Sequence, residues 1–249
     1  MNTLKKNRLL LSLLAALASV TLPTSNSFAE ESINSLANQL EVGGVINESV
    51  VNNKAGTEII SDITISDLEG IQKGLGIHNS PYNESSMPSL TIVPSLTIVG
   101  KLNFKIISTE DGGAIYNGDS TLEIKGDGYF EGNKANSGGA IMSIKTVEKE
   151  TSVKIEGNNT FIRNEGKDYG GAIFNRGSSF LLKGTQVFQE NSSGAHGGAV
   201  ANLDGTFSIE GGATFLKNNS YSGGALFNWS SQTQFLKATH FEDNKAKWG

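Results

Sequence analysis

Short runs of alternating apolar and polar residues recur through the second half of the chain. Leu122 and Ile124, Val153 and Ile155, Phe180 and Leu182, Phe207 and Ile209, and Thr233 and Phe235 each sit two residues apart. A period of two puts such pairs on one face of an extended segment, so each is read as a short half-buried strand. A polar, usually glycine-containing turn such as KGDG or EGNN follows. Six residues after the second member of each pair stands a phenylalanine that opens an F-x-x-N motif. These motifs pair Phe130 with Asn133, Phe161 with Asn164, Phe188 with Asn191, Phe215 with Asn218 and Phe241 with Asn244. No window in this region carries a convincing helical stripe.

A second mark alternates with the first. Gly112, Gly113, Ala114 and Ile115 begin GGAIYN, and Gly138, Gly139, Ala140 and Ile141 begin GGAIMS. Gly170, Gly171, Ala172 and Ile173 begin GGAIFN; Gly197, Gly198, Ala199 and Val200 begin GGAVAN; Gly223, Gly224, Ala225 and Leu226 begin GGALFN. The spacings are 26, 32, 27 and 26 residues, and each of the first four phenylalanines precedes the next GGA by eight or nine. The one long period contains KTVEKE (Lys145–Glu150), a charged segment expected to loop outward.

Each repeat therefore holds about three short extended segments separated by turns. A unit of about 26 residues cannot bury its own apolar face, and stacking successive units solves this. The expected fold is all-β: a right-handed parallel β-helix, a solenoid of about five to six coils, with equivalent residues in columns about 4.8 Å apart. The paired glycines suit a corner that demands positive φ or leaves no room for a Cβ. Ile115, Ile141, Ile173, Val200 and Leu226 are expected as an interior column, and the five phenylalanines as another. The F-x-x-N asparagines are expected to stack, each amide donating to one neighbouring coil and accepting from the other. The sequence leaves open the face of Tyr116, Met142, Phe174, Ala201 and Phe227, for which an exposed aromatic stack is one reading.

The first hundred residues lack both marks. Lys5, Lys6 and Arg8 precede the apolar run Leu9–Leu22, and Ser27–Ala29 supplies small residues before Glu30. That order reads as a secretory signal over residues 1–29, cleaved after Ala29. Residues 30–100 form an irregular lead-in or cap containing the tandem PSLTIV (Pro88–Val93, Pro94–Val99), and residues 101–249 form the repeat region. Phe104 lies eight residues before Gly112 and occupies an F-x-x-N place with Ile107 instead of Asn, so coils begin near residue 100 or somewhat earlier in degenerate form. Phe241 precedes Gly249 by eight, which places the last residue on the first glycine of a sixth GGA and implies an incomplete repeat array without a membrane barrel.

Charge and composition narrow the functions. Loss of residues 1–29 removes three positive charges and no negative ones, leaving 17 Lys+Arg against 25 Asp+Glu, a net charge near −8. No basic cluster exists to track phosphates, so nucleic acid is not an expected partner. The chain has no cysteine, which excludes disulfide staples, thiol catalysis and zinc ribbons. Glycan-cleaving chemistry needs clustered carboxylates, yet Asp111, Asp119, Glu123 and Asp127 occupy separate repeat positions without acidic partners one period later. His78, His196 and His240 are isolated. The glycine-rich SGAHGGAV (Ser193–Val200) lacks the lysine and following helix of a phosphate loop. No catalytic, metal or cofactor residues are assigned.

Five GGA[I/V/L] motifs alternating with F-x-x-N motifs behind an export signal resemble the chlamydial polymorphic outer-membrane proteins. The resemblance covers residues 104–249 and the signal. It implies an autotransporter whose surface-displayed β-helical passenger acts in adhesion to host cells through an unidentified host-cell surface receptor, protein or glycan, with self-association or association with related surface proteins also in view. In that family the repeated motifs are themselves linked to adhesion, which makes the GGA[I/V/L] and F-x-x-N residues named above candidate adhesion residues. Members often carry many cysteines, and this chain departs from them in having none. A purely structural surface-coat protein and a carbohydrate-active β-helix enzyme are the competing readings.

Overall fold

The computed structural model describes residues 95–248 and, before them, the strand segments 50–52, 57–60, 63–66 and 77–79. The expected signal over residues 1–29, the first PSLTIV copy and Gly249 lie outside the described residues. Among the described residues every regular element is a β-strand and every strand pairing is parallel. One complete coil runs through Ile173–Arg176, Ser179–Leu182, Gln186–Gln189 and Ser192–Ser193, then returns to the first face at Val200–Leu203. Three faces are seven-stranded sheets and the fourth has five strands, giving a β-solenoid of about six turns.

The strands form because each turn of chain places its apolar residues at the same height-independent position of the cross-section. On the first face Ile77, Ile115, Ile141, Ile173, Val200 and Leu226 are register partners in succession. On the second, Leu122, Val153, Phe180 and Phe207 align, as do Ile124, Ile155, Leu182 and Ile209. On the third, Phe104, Phe130, Phe161, Phe188, Phe215 and Phe241 stack. All of these belong to one continuous core running the length of the solenoid, apart from the half-buried Leu226 and the exposed Phe241. From Phe130 onward the rings lie within 4–6° of parallel with centroids 4.7–4.8 Å apart. That separation is the spacing of neighbouring strands, so the backbone ladder sets the ring pitch.

Two features differ from the sequence reading. The repeat has four extended segments, not three: Lys134–Ser137, Glu165–Tyr169, Ser192–Ser193, Asn219–Ser222 and Lys245–Trp248 build a fourth face. Its inward positions carry small residues such as Ala135, Gly166, Ser193 and Ser220, which leave no apolar alternation to detect. The solenoid also begins well before residue 100, in the degenerate form allowed for above. Val50–Asn52, Thr57–Ile60 and Ile63–Ser66 make a first coil, and Ile77–Asn79, Ser95–Val99 and Leu102–Lys105 a second.

Candidate functional site

The GGA corner joins the fourth face to the first. Its first glycine has positive φ in every coil: 59° at Gly112, 62° at Gly138, 58° at Gly170, 69° at Gly197 and 65° at Gly223. Its second glycine is required for space. A Cβ on Gly113 would lie 1.8 Å from the Gly139 carbonyl oxygen, one on Gly139 2.4 Å from that of Gly171, and one on Gly171 2.1 Å from that of Gly198. Gly198 and Gly224 are equally hemmed by the backbone above them. Ala114, Ala140, Ala172, Ala199 and Ala225 follow, all buried. The Ala199 carbonyl accepts from both Ala172 N–H and Ile173 N–H at 2.9 Å, and the Ala140, Ala172 and Ala225 carbonyls accept in the same two-donor way. A larger side chain there would push the coils apart.

The F-x-x-N corner joins the third face to the fourth. Asn133, Asn164, Asn191 and Asn218 are fully buried, and Asn244 is half-buried. Nδ2 of each of the first four donates to Oδ1 of the next at 2.9–3.0 Å. It also donates to a phenylalanine carbonyl in the preceding coil, as Asn191 does to Phe161 O at 2.9 Å. Each oxygen accepts in addition the backbone N–H of the asparagine before it. At the degenerate coil, where Ile107 stands, its N–H still donates to Asn133 Oδ1 at 3.1 Å. The residue ahead of the asparagine is left-handed in every coil, with φ of 53° at Ile106, 65° at Gly132, 52° at Arg163, 55° at Glu190, 54° at Lys217 and 53° at Asp243. Non-glycine residues adopt that conformation at a cost of about 1–2 kcal/mol, which the asparagine's hydrogen bonds offset.

The candidate adhesion residues thus face inward. The Gly, Ala, aliphatic, Phe and Asn side chains of the central coils have almost no solvent-exposed surface, so their chemistry is to hold corners and columns. The asparagine closing GGAxxN was quoted in the motif but given no role by the sequence. Asn117, Asn175 and Asn202 are fully buried and form a second amide column, with Asn175 Nδ2 donating to Asn202 Oδ1 at 2.8 Å. Ser143 interrupts it, accepting from Asn117 Nδ2 at 3.3 Å.

The open question about Tyr116, Met142, Phe174, Ala201 and Phe227 resolves into a second apolar cluster outside the tube, separate from the core. It is not the exposed stack: Met142, Phe174 and Ala201 are buried. Tyr169 from the fourth face stacks on Phe174 at 5.2 Å, and His196 lies between Tyr169 at 5.2 Å and Phe227 at 4.4 Å. His196 is therefore a packed ring rather than a plain surface residue. Burial, followed by the nearby Asp119 and Asp111 charges, pushes the Tyr116 hydroxyl up to about 12.

Outward-facing charges are spent between coils. Lys154 Nζ meets Glu123 at 2.7 Å and Glu156 at 2.6 Å, and these hydrogen bonds, Glu123 first, hold its pKa above the usual lysine range. Glu131 accepts from the Tyr129 hydroxyl at 3.0 Å and pairs with Lys105 and Arg163. The Tyr129 bond is the main reason its carboxyl stays below the usual range. Asp127 accepts from Asn158 N–H at 2.9 Å, and His240 faces Glu242 at 3.0 Å. Among the described residues no group of three or more His, Asp or Glu is placed to hold a metal ion, and no helix is long and apolar enough to cross a membrane.

Residues 127–143 match the family model described as the Chlamydia polymorphic membrane protein repeat. The matched stretch holds one complete F-x-x-N to GGA unit, from Phe130 through Ile141. No match to the chain was found among curated proteins or among solved structures. The chain carries a repeat of the Chlamydia polymorphic membrane proteins, set in a parallel β-solenoid that fits a passenger of that family.

Proposed function

We propose that this chain is the surface-displayed passenger of a bacterial outer-membrane autotransporter, exported through its N-terminal signal, acting in adhesion to host cells and as a surface antigen. The observation that carries the proposal is the matched repeat unit over residues 127–143. Its two marks recur in five successive coils, so most of the chain is committed to an elongated scaffold. Such a scaffold presents a long lateral surface while its buried motifs supply rigidity. In this reading the GGA and F-x-x-N residues serve adhesion indirectly, by positioning the turns and outward columns that meet a receptor.

Catalysis is not part of the proposal. Three of the four acidic residues singled out in the sequence are engaged separately: Glu123 with Lys154, Asp127 with Asn158, and Asp119 with Thr146.

The test is direct. Beads coated with the purified chain should bind host epithelial cells better than beads carrying an unrelated acidic protein, and antibodies against the chain should label intact bacteria. Equal bead binding with surface labelling favours a structural coat. Absence of labelling on intact bacteria contradicts surface display.

A further inference from the structure

Four of the five GGA coils pass from the first face to the second in two residues: Asp119–Ser120, Gly177–Ser178, Asp204–Gly205 and Ser230–Ser231. The fifth uses seven, residues 145–151, between Ile141–Ile144 and Ser152–Ile155. The expected outward loop is therefore present, and it costs ordering entropy without adding to the stacked columns. It is nevertheless held firmly. Asp119, left-handed at φ 46° and buried, accepts from Thr146 N–H at 2.7 Å and Val147 N–H at 3.1 Å through Oδ1. Its Oδ2 accepts from the Thr146 hydroxyl at 2.5 Å. Lys145 pairs with Glu148 at 3.0 Å, and Lys149 N–H donates to Val147 O at 2.7 Å. A loop positioned this way on a rigid frame is the usual carrier of binding function.

The loop forms one wall of a trough of about 680 Å3, whose floor is the stacked two-residue turns of the next three coils. It is open to solvent along its length. Gly177 keeps floor and wall close, since a Cβ there would meet Lys145 Cβ at 3.2 Å. Several of the floor's backbone donors are used between coils: Gly177 N–H to Leu203 O at 2.8 Å, Asp204 N–H to Trp229 O at 3.0 Å, Thr206 N–H to Ser178 O at 3.0 Å. An extended peptide is read through an unpaired sheet edge or apolar side-chain pockets, and the trough offers neither. The side chains that line it end in polar groups: the exposed hydroxyls of Ser179 and Thr206, the second donating to the first at 3.2 Å, the Gln232 amide, and the carboxylates of Asp204 and Glu150. Lys145 is paired with Glu148, and Lys149 shares the lining with the Asp204 and Glu150 carboxylates, so no cationic cluster awaits a sulfated or sialylated chain.

We infer that this trough binds an uncharged oligosaccharide lying along the solenoid axis, its hydroxyls bonded to the stacked Ser179, Thr206 and Gln232 side chains. The inference rests on the adhesion reading and names the ligand class and site for it. Thr206 is exposed, so Thr206→Trp fills the trough without entering the core; Asp204→Ala removes a polar partner instead.

The whole chain and both variants, matched by circular dichroism, are applied to an array of N-acetyllactosamine, oligomannose and glucan oligomers with sialylated and sulfated counterparts, and in parallel to epithelial cells. The chain should bind at least one uncharged series saturably, and Thr206→Trp should weaken it about tenfold or more. Absence of binding to every uncharged oligomer, preference for the charged ones, or equal affinity in Thr206→Trp overturns the inference. Cell binding abolished by Thr206→Trp without any glycan bound identifies a protein ligand and also overturns it. Cell binding untouched by Thr206→Trp overturns the trough and leaves adhesion standing. Glycan binding by a chain that ignores cells overturns adhesion alone.

Discussion

Asn164 and Asn191 are joined twice: the backbone N–H and the Nδ2 of Asn164 both donate to Asn191 Oδ1, each at 3.0 Å. One side-chain oxygen thereby fixes a neighbouring coil's main chain and its amide together. The doubled contact repeats from Asn133 to Asn244 and forms a spine at the corner between the third and fourth faces.

Removing one member of the spine strands several groups at once. Asn191→Ala leaves two Asn164 donors and the Phe161 carbonyl without their partner. At roughly 1–3 kcal/mol for each unsatisfied buried group, with partial relaxation, a loss of about 3 kcal/mol is expected. Asn191→Asp should cost more, because a buried carboxylate cannot donate to Asn218 Oδ1. Urea unfolding of the three proteins checks the order; an Asp variant as stable as wild type would contradict the directional ladder.

The two kinds of glycine should respond unequally. Gly171→Ala drives a Cβ to 2.1 Å from the Gly198 oxygen, and the coils must part. The expected cost is about 3 kcal/mol or more, in the class of overpacking and strain. Gly132→Ala meets nothing nearer than 3.8 Å and takes a φ that Arg163, Glu190 and Lys217 already adopt. Its strain of about 1–2 kcal/mol is partly offset by a less flexible unfolded chain, so a change under about 1 kcal/mol is expected. Thermal unfolding of both variants separates them, and equal destabilisation would be the contrary result.

Tyr116 makes stability sensitive to alkali. Its folded pKa of about 12 exceeds the ordinary 10.0, chiefly through burial. The folded state therefore holds the proton more tightly. The resulting stabilisation is complete below pH of about 10 and lost as pH rises through about 12. Spectrophotometric titration should show a late tyrosinate component that Tyr116→Phe lacks, and the variant should lose less stability across that window. A Tyr116 that ionises with the ordinary value would contradict its burial.

Asp119 is the tether of the residue 145–151 loop. Asp119→Ala removes the three hydrogen bonds from Thr146 and Val147. Limited trypsin digestion should then cut after Lys145 or Lys149 several times faster, while cuts elsewhere keep their wild-type rates. An unchanged rate at these two lysines would contradict the tether.

Much of this was readable because the repeat imposes the same physics in every coil. Period-two pairs such as Val153 and Ile155 revealed the second face, and the spacing of Phe161 to Gly170 located the third and first. The fourth face stayed hidden because Gly166 and Ser193 give no apolar signal, and its register even slips between Ala135 and Ser137. The left-handed residue before each asparagine was equally invisible: Arg163, Glu190 and Lys217 share a backbone shape but no side-chain chemistry. His196 read as isolated, since its partners Tyr169 and Phe227 come from neighbouring coils. The trough escaped notice because it joins a loop to turns more than twenty residues further on, and only the long period hinted that the corner differed.

The same corner has a consequence for how such a chain can change. Ile141 pairs with both Ile115 and Ile173 on the near side of the long loop, and Ser152 with both Thr121 and Ser179 on the far side, in unbroken register. Frame and ornament are thus uncoupled there. Lys145 and Thr151 still carry rungs, the Lys145 N–H to Arg176 O and the Ser179 N–H to Thr151 O. Residues between those two can be gained, lost or exchanged while the ladder on either side stands, so what this corner displays can be rewritten while folding stays under the separate control of the interior.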